Sequence, residues 1–240
     1  MTETTSAPMG PAPQPGVLAR LIGVLFSPRE TFAAVAARPA WFGVLAVALL
    51  IMAASQFVQL STDIGKEVAL DQSVSWTEFF GVTISDEAYA EMEKRMDTAR
   101  YTTPIATVIA TPLFMLLSAG ILHVMFGLIG GGNGTYKQVY AISAHTAIIS
   151  ALQIVFTTIV TLAAGKSAGA NLSVFTPTLE DTTFVYKFLS YIDLFYIWST
   201  FITAVGLGVL YKRRTGPIAM VLLGIYFVIA ALIAYVASGS

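Results

Sequence analysis

The sequence predicts an all-α integral membrane protein with five transmembrane helices, N-terminal interfacial helices and an amphipathic helix in the first outer loop. Three observations point there. Hydrophobic residues make up 56% of the 240-residue chain and charged residues 11%, whereas a soluble domain carries about 25% charged residues. The mean hydropathy is +0.74. Apolar runs of about 20 residues recur along the chain, the length needed to cross roughly 30 Å of hydrocarbon in a helix. A net charge of −1 provides no global basic field, so nucleic acid is not an expected partner. Without cysteine there is no disulfide, thiolate metal site or cysteine nucleophile.

Taken in order, residues 1–16 are rich in Pro, Ala and Thr and read as a disordered tail. They lack the basic start and continuous apolar core of a signal peptide. A single membrane domain then covers 17–237. Val17, Leu18, Leu21, Ile22, Leu25 and Phe26 fall at helical spacing in a segment too short to span, as an interfacial helix would. Ser27-Pro-Arg-Glu30 has the residues of a helix start: Ser as cap, Pro in the first turn, Glu three residues on. That second helix ends at Arg38-Pro39. Spans follow near 40–60, 104–129, 137–164, 187–211 and 216–237, with Trp41 and Tyr235 at headgroup level.

The outer loop 61–103 holds nine of the fourteen acidic residues. Within it, a helix near 86–100 opens at Ser85-Asp-Glu87 and carries Lys94, Arg95 and Arg100 toward its end, a charge order that matches the helix dipole. Ala88, Met92, Met96 and Ala99 mark one face of it. A helix lying over the outer ends of the spans accounts for this pattern; a docking helix for a partner is the alternative.

Orientation rests on Lys212-Arg-Arg214, a compact cation cluster in a very short loop. The charges opposing it sit mostly in one long loop, which translocates largely regardless of charge. The N-terminus is therefore expected inside and the C-terminus outside.

Polar residues inside apolar runs are the candidate functional positions. Counted from the inner end of each span, Gln56, Gln153 and Asp193 come out at roughly 24 to 26 Å and form a candidate outer polar layer. Gln59, Thr107 and Thr111 lie near it. A carboxylate inside a membrane costs about 2.5 to 3.5 kcal/mol, so Asp193 needs a donor or a watery recess. His123 and His145 each lie eleven positions from Gly134 of the glycine-rich turn, which pairs them across a helical hairpin at an inner level. A proton site or metal pair is one reading of these histidines. Two neutral imidazoles bonded to backbone or to each other is the other. Two ligands with no acid at their depth do not make a metal site, and no cofactor is expected.

Other chemistry is excluded by its missing parts. Ser118 precedes His123, but no G-x-S-x-G elbow surrounds it. Gly130-Gly-Gly-Asn-Gly-Thr135 lacks the Gly-Lys-Ser/Thr ending of a phosphate-binding loop and reads as a turn. Asn133-Gly-Thr and Asn171-Leu-Ser match the glycosylation sequon only formally. No catalytic centre is expected. Ser143, Ala147 and Ala151, at spacing four, allow a helix to approach the third span closely, either inside the protein or from a second copy or membrane-protein partner.

Four motifs, in order, carry a resemblance: Leu25-Phe-Ser-Pro-Arg-Glu-Thr-Phe32 with Pro39-Ala-Trp41; the glycine-rich turn with Tyr136-Lys-Gln-Val139; Ala144-His145; and Asp193-Leu-Phe-Tyr-Ile-Trp198 with Gly206-Leu. Over residues 17–237 the chain resembles the Yip family of Ypt/Rab-interacting membrane proteins, in its bacterial form. The resemblance implies a non-enzymatic scaffold, adaptor or membrane-organising subunit in contact with membrane lipids. Eukaryotic members are adaptors for prenylated small GTPases. The Asp-Leu-Tyr-Gly-Pro motif of those members is missing here and the tail is short, which argues against small-GTPase binding. The alternative function is a lipid or small-molecule pathway through an outer recess around Asp193.

The orientation has a direct check, because the natural chain lacks cysteine. A single cysteine placed at Lys212 is expected to stay unlabelled by an impermeant thiol reagent in intact cells; labelling there inverts the assignment of sides.

Overall fold

The computed structural model describes residues 15–167 and 169–239; most of the tail expected at 1–16 lies outside them. Nine α-helices are described: α1 (Val17–Phe26), α2 (Pro28–Ala37), α3 (Phe42–Leu60), α4 (Asp63–Phe79), α5 (Asp86–Leu122), α6 (Tyr136–Ala164), α7 (Phe184–Ser190), α8 (Leu194–Leu210) and α9 (Thr215–Gly239). A π-helical turn, His123–Ile129, continues α5. Four helices are long and apolar enough to cross a membrane: Phe42–Leu60, Asp86–Ile129, Tyr136–Ala164 and Thr215–Gly239.

The expected fifth span differs. Instead of one helix over 187–211, the chain breaks between α7 and α8, and α8 is 17 residues, about 25 Å. The cause is local. Asp193 leaves helical geometry (φ −100°, ψ 133°) and pairs with Asn171 in an isolated antiparallel bridge. The bridge satisfies backbone groups freed by the break: Leu172 N–H donates to Ile192 O (3.0 Å) and Leu194 N–H to Ala170 O (2.9 Å).

The loop 61–103 also differs. A helix absent from the sequence reading, α4, fills its first half, with the Thr62 hydroxyl accepting from Gly65 N–H. The helix expected near 86–100 starts where expected, at the Ser85 cap, but does not end at 100. It runs on through Pro104 and Pro112 as α5. A proline inside an apolar helix is tolerated where neighbouring helices pack against it. Pro104 is buried. At the start of α5, backbone and Ser85 hydrogen bonds hold the Glu87 carboxyl below its ordinary pKa.

At the N-terminus, α2 starts at Pro28 as expected, yet Ser27 makes no side-chain cap bond. The capping box forms elsewhere, at α6. There Thr135 Oγ1 accepts from Gln138 N–H (3.3 Å), and Gln138 Oε1 accepts from Thr135 N–H (2.7 Å). The Gln138 amide also donates to Ala36 O (2.6 Å), tying the end of α2 to the start of α6.

The core is organised around α6. It packs against α3, α5 and α8 and touches α1, α2 and α4, and it buries Ile142, His145 and Ile149 completely. The α1–α2 hairpin is exposed on one side only. Leu18, Ile22 and Phe26 are exposed, whereas Val24, Phe32 and Val35 are buried in the bundle core.

Two ends of the bundle are distinguished by charge. The turn side carries α1–α2, the glycine-rich turn and the loop 211–214, drawn together by Gln138–Ala36 and by an Arg213 guanidinium bond to Gly130 O. Among its described residues it has seven Lys and Arg against the single acid Glu30. The loop side carries α4, the start of α5 and residues 165–193, where the Gln72 amide donates to the Ser167 hydroxyl (3.1 Å). It has twelve acids and six bases.

Gly206 sets a close approach between α8, α6 and α2 in the core. A Cβ there would lie 2.5 Å from Ile142 Cγ2 and 3.3 Å from Phe32 Cδ2. Gly206→Ala is expected to lower the thermal unfolding midpoint in mild detergent, through an overpacking cost of about 1–3 kcal/mol. Gly224→Ala, with open space around it, is expected to leave the midpoint unchanged or raise it slightly.

Candidate functional site: a polar groove within the bundle

A cavity of about 730 Å³ lies between the helices, and its lining is uncharged. Its floor is α6, with Ser143, Thr146, Ser150, Gln153 and Thr157. One wall is α5, with Thr103, Thr107, Thr111 and Ser118; the other is α8, with Tyr196, Ser199 and Thr203. Gln56 and Gln59 of α3 and Gln72 of α4 complete it. Spacings of three and four residues bring each set onto one helix face. From Ser143 to Thr157 the floor runs about 20 Å along α6, most of the thickness of a hydrocarbon layer. Phe114 and Tyr196, both exposed, stand at its open edge.

Hydrogen bonds pin part of the lining. Thr107 Oγ1 donates to Gln56 Oε1 (2.9 Å), joining α5 to α3. Thr158 Oγ1 donates to Gln59 Oε1 (3.0 Å), joining α6 to α3. Thr203 and Thr146 hydroxyls meet at 3.4 Å. Gln153 is half-buried and its amide has no hydrogen-bond partner among the described residues. An amide in an apolar bundle without a partner is costly unless something polar occupies the space beside it.

The structure separates the sequence-derived candidates. Gln56 and Gln153 share the groove; Asp193 is not in its lining. Asp193 is the N-cap of α8: Oδ1 accepts from Phe195 N–H (2.7 Å) and Tyr196 N–H (3.2 Å). Its own N–H donates to the Tyr226 hydroxyl (2.9 Å), which donates to Tyr191 O (2.7 Å). Tyr226 is eleven residues into α9, roughly 17 Å from its start, so the α7–α8 break lies beside the middle of that helix. The carboxylate is met by helix N–H groups and the positive end of the α8 dipole, which removes the need for a glutamine donor.

The histidines have separate surroundings. His145 is fully buried on α6, with Nδ1 2.7 Å from Ala141 O and Nε2 without a partner. His123 opens the π turn, where Nδ1 lies 3.4 Å from the Tyr211 hydroxyl and the ring meets Tyr136 edge-on. No group of three His, Asp or Glu able to hold a metal occurs among the described residues.

Sequence reasoning missed most of the groove, although the signal was present. Thr103, Thr107, Thr111 and Ser118 recur at helical spacing on one segment, and Ser143, Thr146, Ser150, Gln153 and Thr157 on another. Stripes of hydroxyls on facing spans are the pattern to seek.

The chain matches the family model of the Yip1 domain over residues 22–237. The chain belongs to the Yip1-domain family. This Yip-family chain keeps the motif order of the resemblance, and each motif has a structural use: Phe32 fills the core, the turn packs on Tyr211, His145 is buried, and Asp193 caps α8. No curated protein and no solved structure matches the chain.

As a helix cap, Asp193 is expected to tolerate Asn and not Ala. Asp193→Ala should lower stability in detergent by about 1 kcal/mol, with Asp193→Asn close to the natural protein. Equal losses for both variants in thermal unfolding would mean that the charge, and not the cap, matters.

Proposed function

We propose that this protein is a non-enzymatic, membrane-organising member of the Yip family whose polar groove receives lipid headgroups. The observation that carries the reading is an uncharged lining in which Ser, Thr and Gln are set among Met, Leu, Ile and Ala over about 20 Å of bundle depth. A headgroup entering hydrocarbon loses its water, and hydroxyls and amides replace those hydrogen bonds. A groove open along one edge leaves acyl chains in the lipid. Without charges in the lining, no headgroup is held tightly enough to stop moving. Gln153, lacking a protein partner, is the residue best placed to engage one. The reading moves the pathway away from Asp193, whose carboxylate is occupied as a cap.

A scaffold role is the second reading, favoured by Ser143, Ala147 and Ser150 in the groove lining. Small residues on that floor would let a helix of a second copy or of another membrane protein approach closely. In both readings the turn side faces the cytoplasm and α8 counts as a fifth, short crossing. The Lys and Arg of loop 211–214 support that orientation.

The test is lipid exchange between leaflets. Proteoliposomes of phosphatidylcholine with a fluorescent headgroup-labelled analogue are expected to lose more than half their signal to an impermeant quencher. Protein-free vesicles should stop near half. Gln153→Leu combined with Thr107→Val should slow the second phase at least several-fold. Protein-containing vesicles that also stop near half favour the scaffold reading, under which Ser143→Phe would abolish a self-association or partner contact.

A further inference from the structure

The turn side holds a second cavity, of about 960 Å³, where the 211–214 loop meets α2. Arg29 enters from α2, and Lys212, Arg213 and Arg214 from the loop. No carboxylate lines it. The ion pairs given by the described residues, Lys66–Asp97 and Arg95–Glu91, lie at the opposite end of the bundle. Glu30, next to Arg29, is outside the lining. Arg213 is held by its bond to Gly130 O, which anchors the loop to the glycine-rich turn. Arg29, Lys212 and Arg214 have no hydrogen-bond or ion-pair partner among the described residues.

Four like charges converging on one cavity repel each other, and no acidic side chain among the described residues lines it to offset them. Lys212 is held with φ +53°, the one described non-glycine residue with positive φ. The loop is therefore kept in a sparsely populated backbone conformation while presenting three consecutive cations. The first turn of α9, Thr215 to Pro217, also borders the cavity, adding the positive end of a 25-residue helix. All of these features favour a phosphate group.

The surroundings identify which phosphate. The loop joins two apolar helices directly, so the cavity lies at the level of lipid headgroups. Pro217 and Met220 border it on α9, and Met220 is exposed along that helix, where an acyl chain would run. The adjoining α1 exposes Leu18, Ile22 and Phe26, as a helix lying in the interface does. We infer that this cavity is a binding site for the phosphate headgroup of an acidic phospholipid, held by Arg29, Lys212 and Arg214 with Arg213 fixing the loop. The site is separate from the polar groove and does not depend on how the groove is used.

Native mass spectrometry of the full chain in mild detergent tests this, with added phosphatidylglycerol, phosphatidylcholine or inorganic phosphate. The protein is expected to retain phosphatidylglycerol in preference to phosphatidylcholine. The double variant Arg29→Gln/Arg214→Gln should reduce that preference about tenfold or more. Arg29→Lys/Arg214→Lys should keep most of it. Arg213 is left in place so that the loop anchor survives, and an unchanged thermal midpoint confirms the fold. Equal retention of the two lipids, or full retention of phosphatidylglycerol by the Gln double variant, overturns the proposal. Competition by millimolar inorganic phosphate as effective as by the lipid overturns the lipid assignment and leaves a soluble-anion site.

Discussion

The structure depends on the close approach of α8 to α6 and α2 at Gly206, where any larger residue meets Ile142 and Phe32. At 17 residues, α8 is the shortest of the large apolar helices. It is held by packing against α6, α9 and the α2 hairpin more than by its own length. In hydrocarbon there is little hydrophobic gain in bringing two apolar helices together, so close packing at small residues has to supply the association. The hairpin is thereby made part of the bundle, and the turn side acquires a fixed relation between α2 and the 211–214 loop.

The same packing accounts for the polar groove. With α8 bound to one flank of α6 and α5 to the other, the intervening face of α6 has no helix over it. Polar side chains around that face either pair between helices, as Gln56 of α3 does with Thr107 of α5, or have no side-chain partner among the described residues, as Gln153 of α6. Buried polar groups in a membrane that are neither paired nor excluded point toward function more strongly than exposed ones, because each has a desolvation cost to offset. The break at Asp193 follows a different logic. There the freed groups find partners in Tyr226, Ala170, Leu172 and the carboxylate itself, as a structural break requires.

Charge is sorted between the two ends with similar clarity. The acids gather on α4 and the start of α5, whereas the turn side concentrates cations with a single described acid. Polar and ionic groups are thus divided by depth: uncharged donors and acceptors in the groove, and a cluster of cations at one end. An anion meeting the turn side encounters charge, and a polar group deeper in the bundle encounters only dipoles. This division keeps charged side chains out of the groove lining, where an uncompensated charge would be costly.

By itself, the sequence determined the class, the family resemblance, most helix positions and the identity of the unusual polar residues. Those follow from composition and from periods of three and four residues, which are properties of one segment at a time. It also placed Gln56 and Gln153 in one layer, because depth along a helix is a count of residues. What only the tertiary structure decided is which polar residues face one another. Depth does not report rotation about the helix axis, so Asp193 shared a level with the glutamines and yet points to its own helix end. His123 and His145, symmetric about Gly134, meet different neighbours for the same reason, one at Tyr211 and one inside the core. The continuation of α5 through Pro104 and the break between α7 and α8 were equally out of reach. Whether a helix stops is decided by whether its freed backbone groups find partners, and those partners lie on other segments.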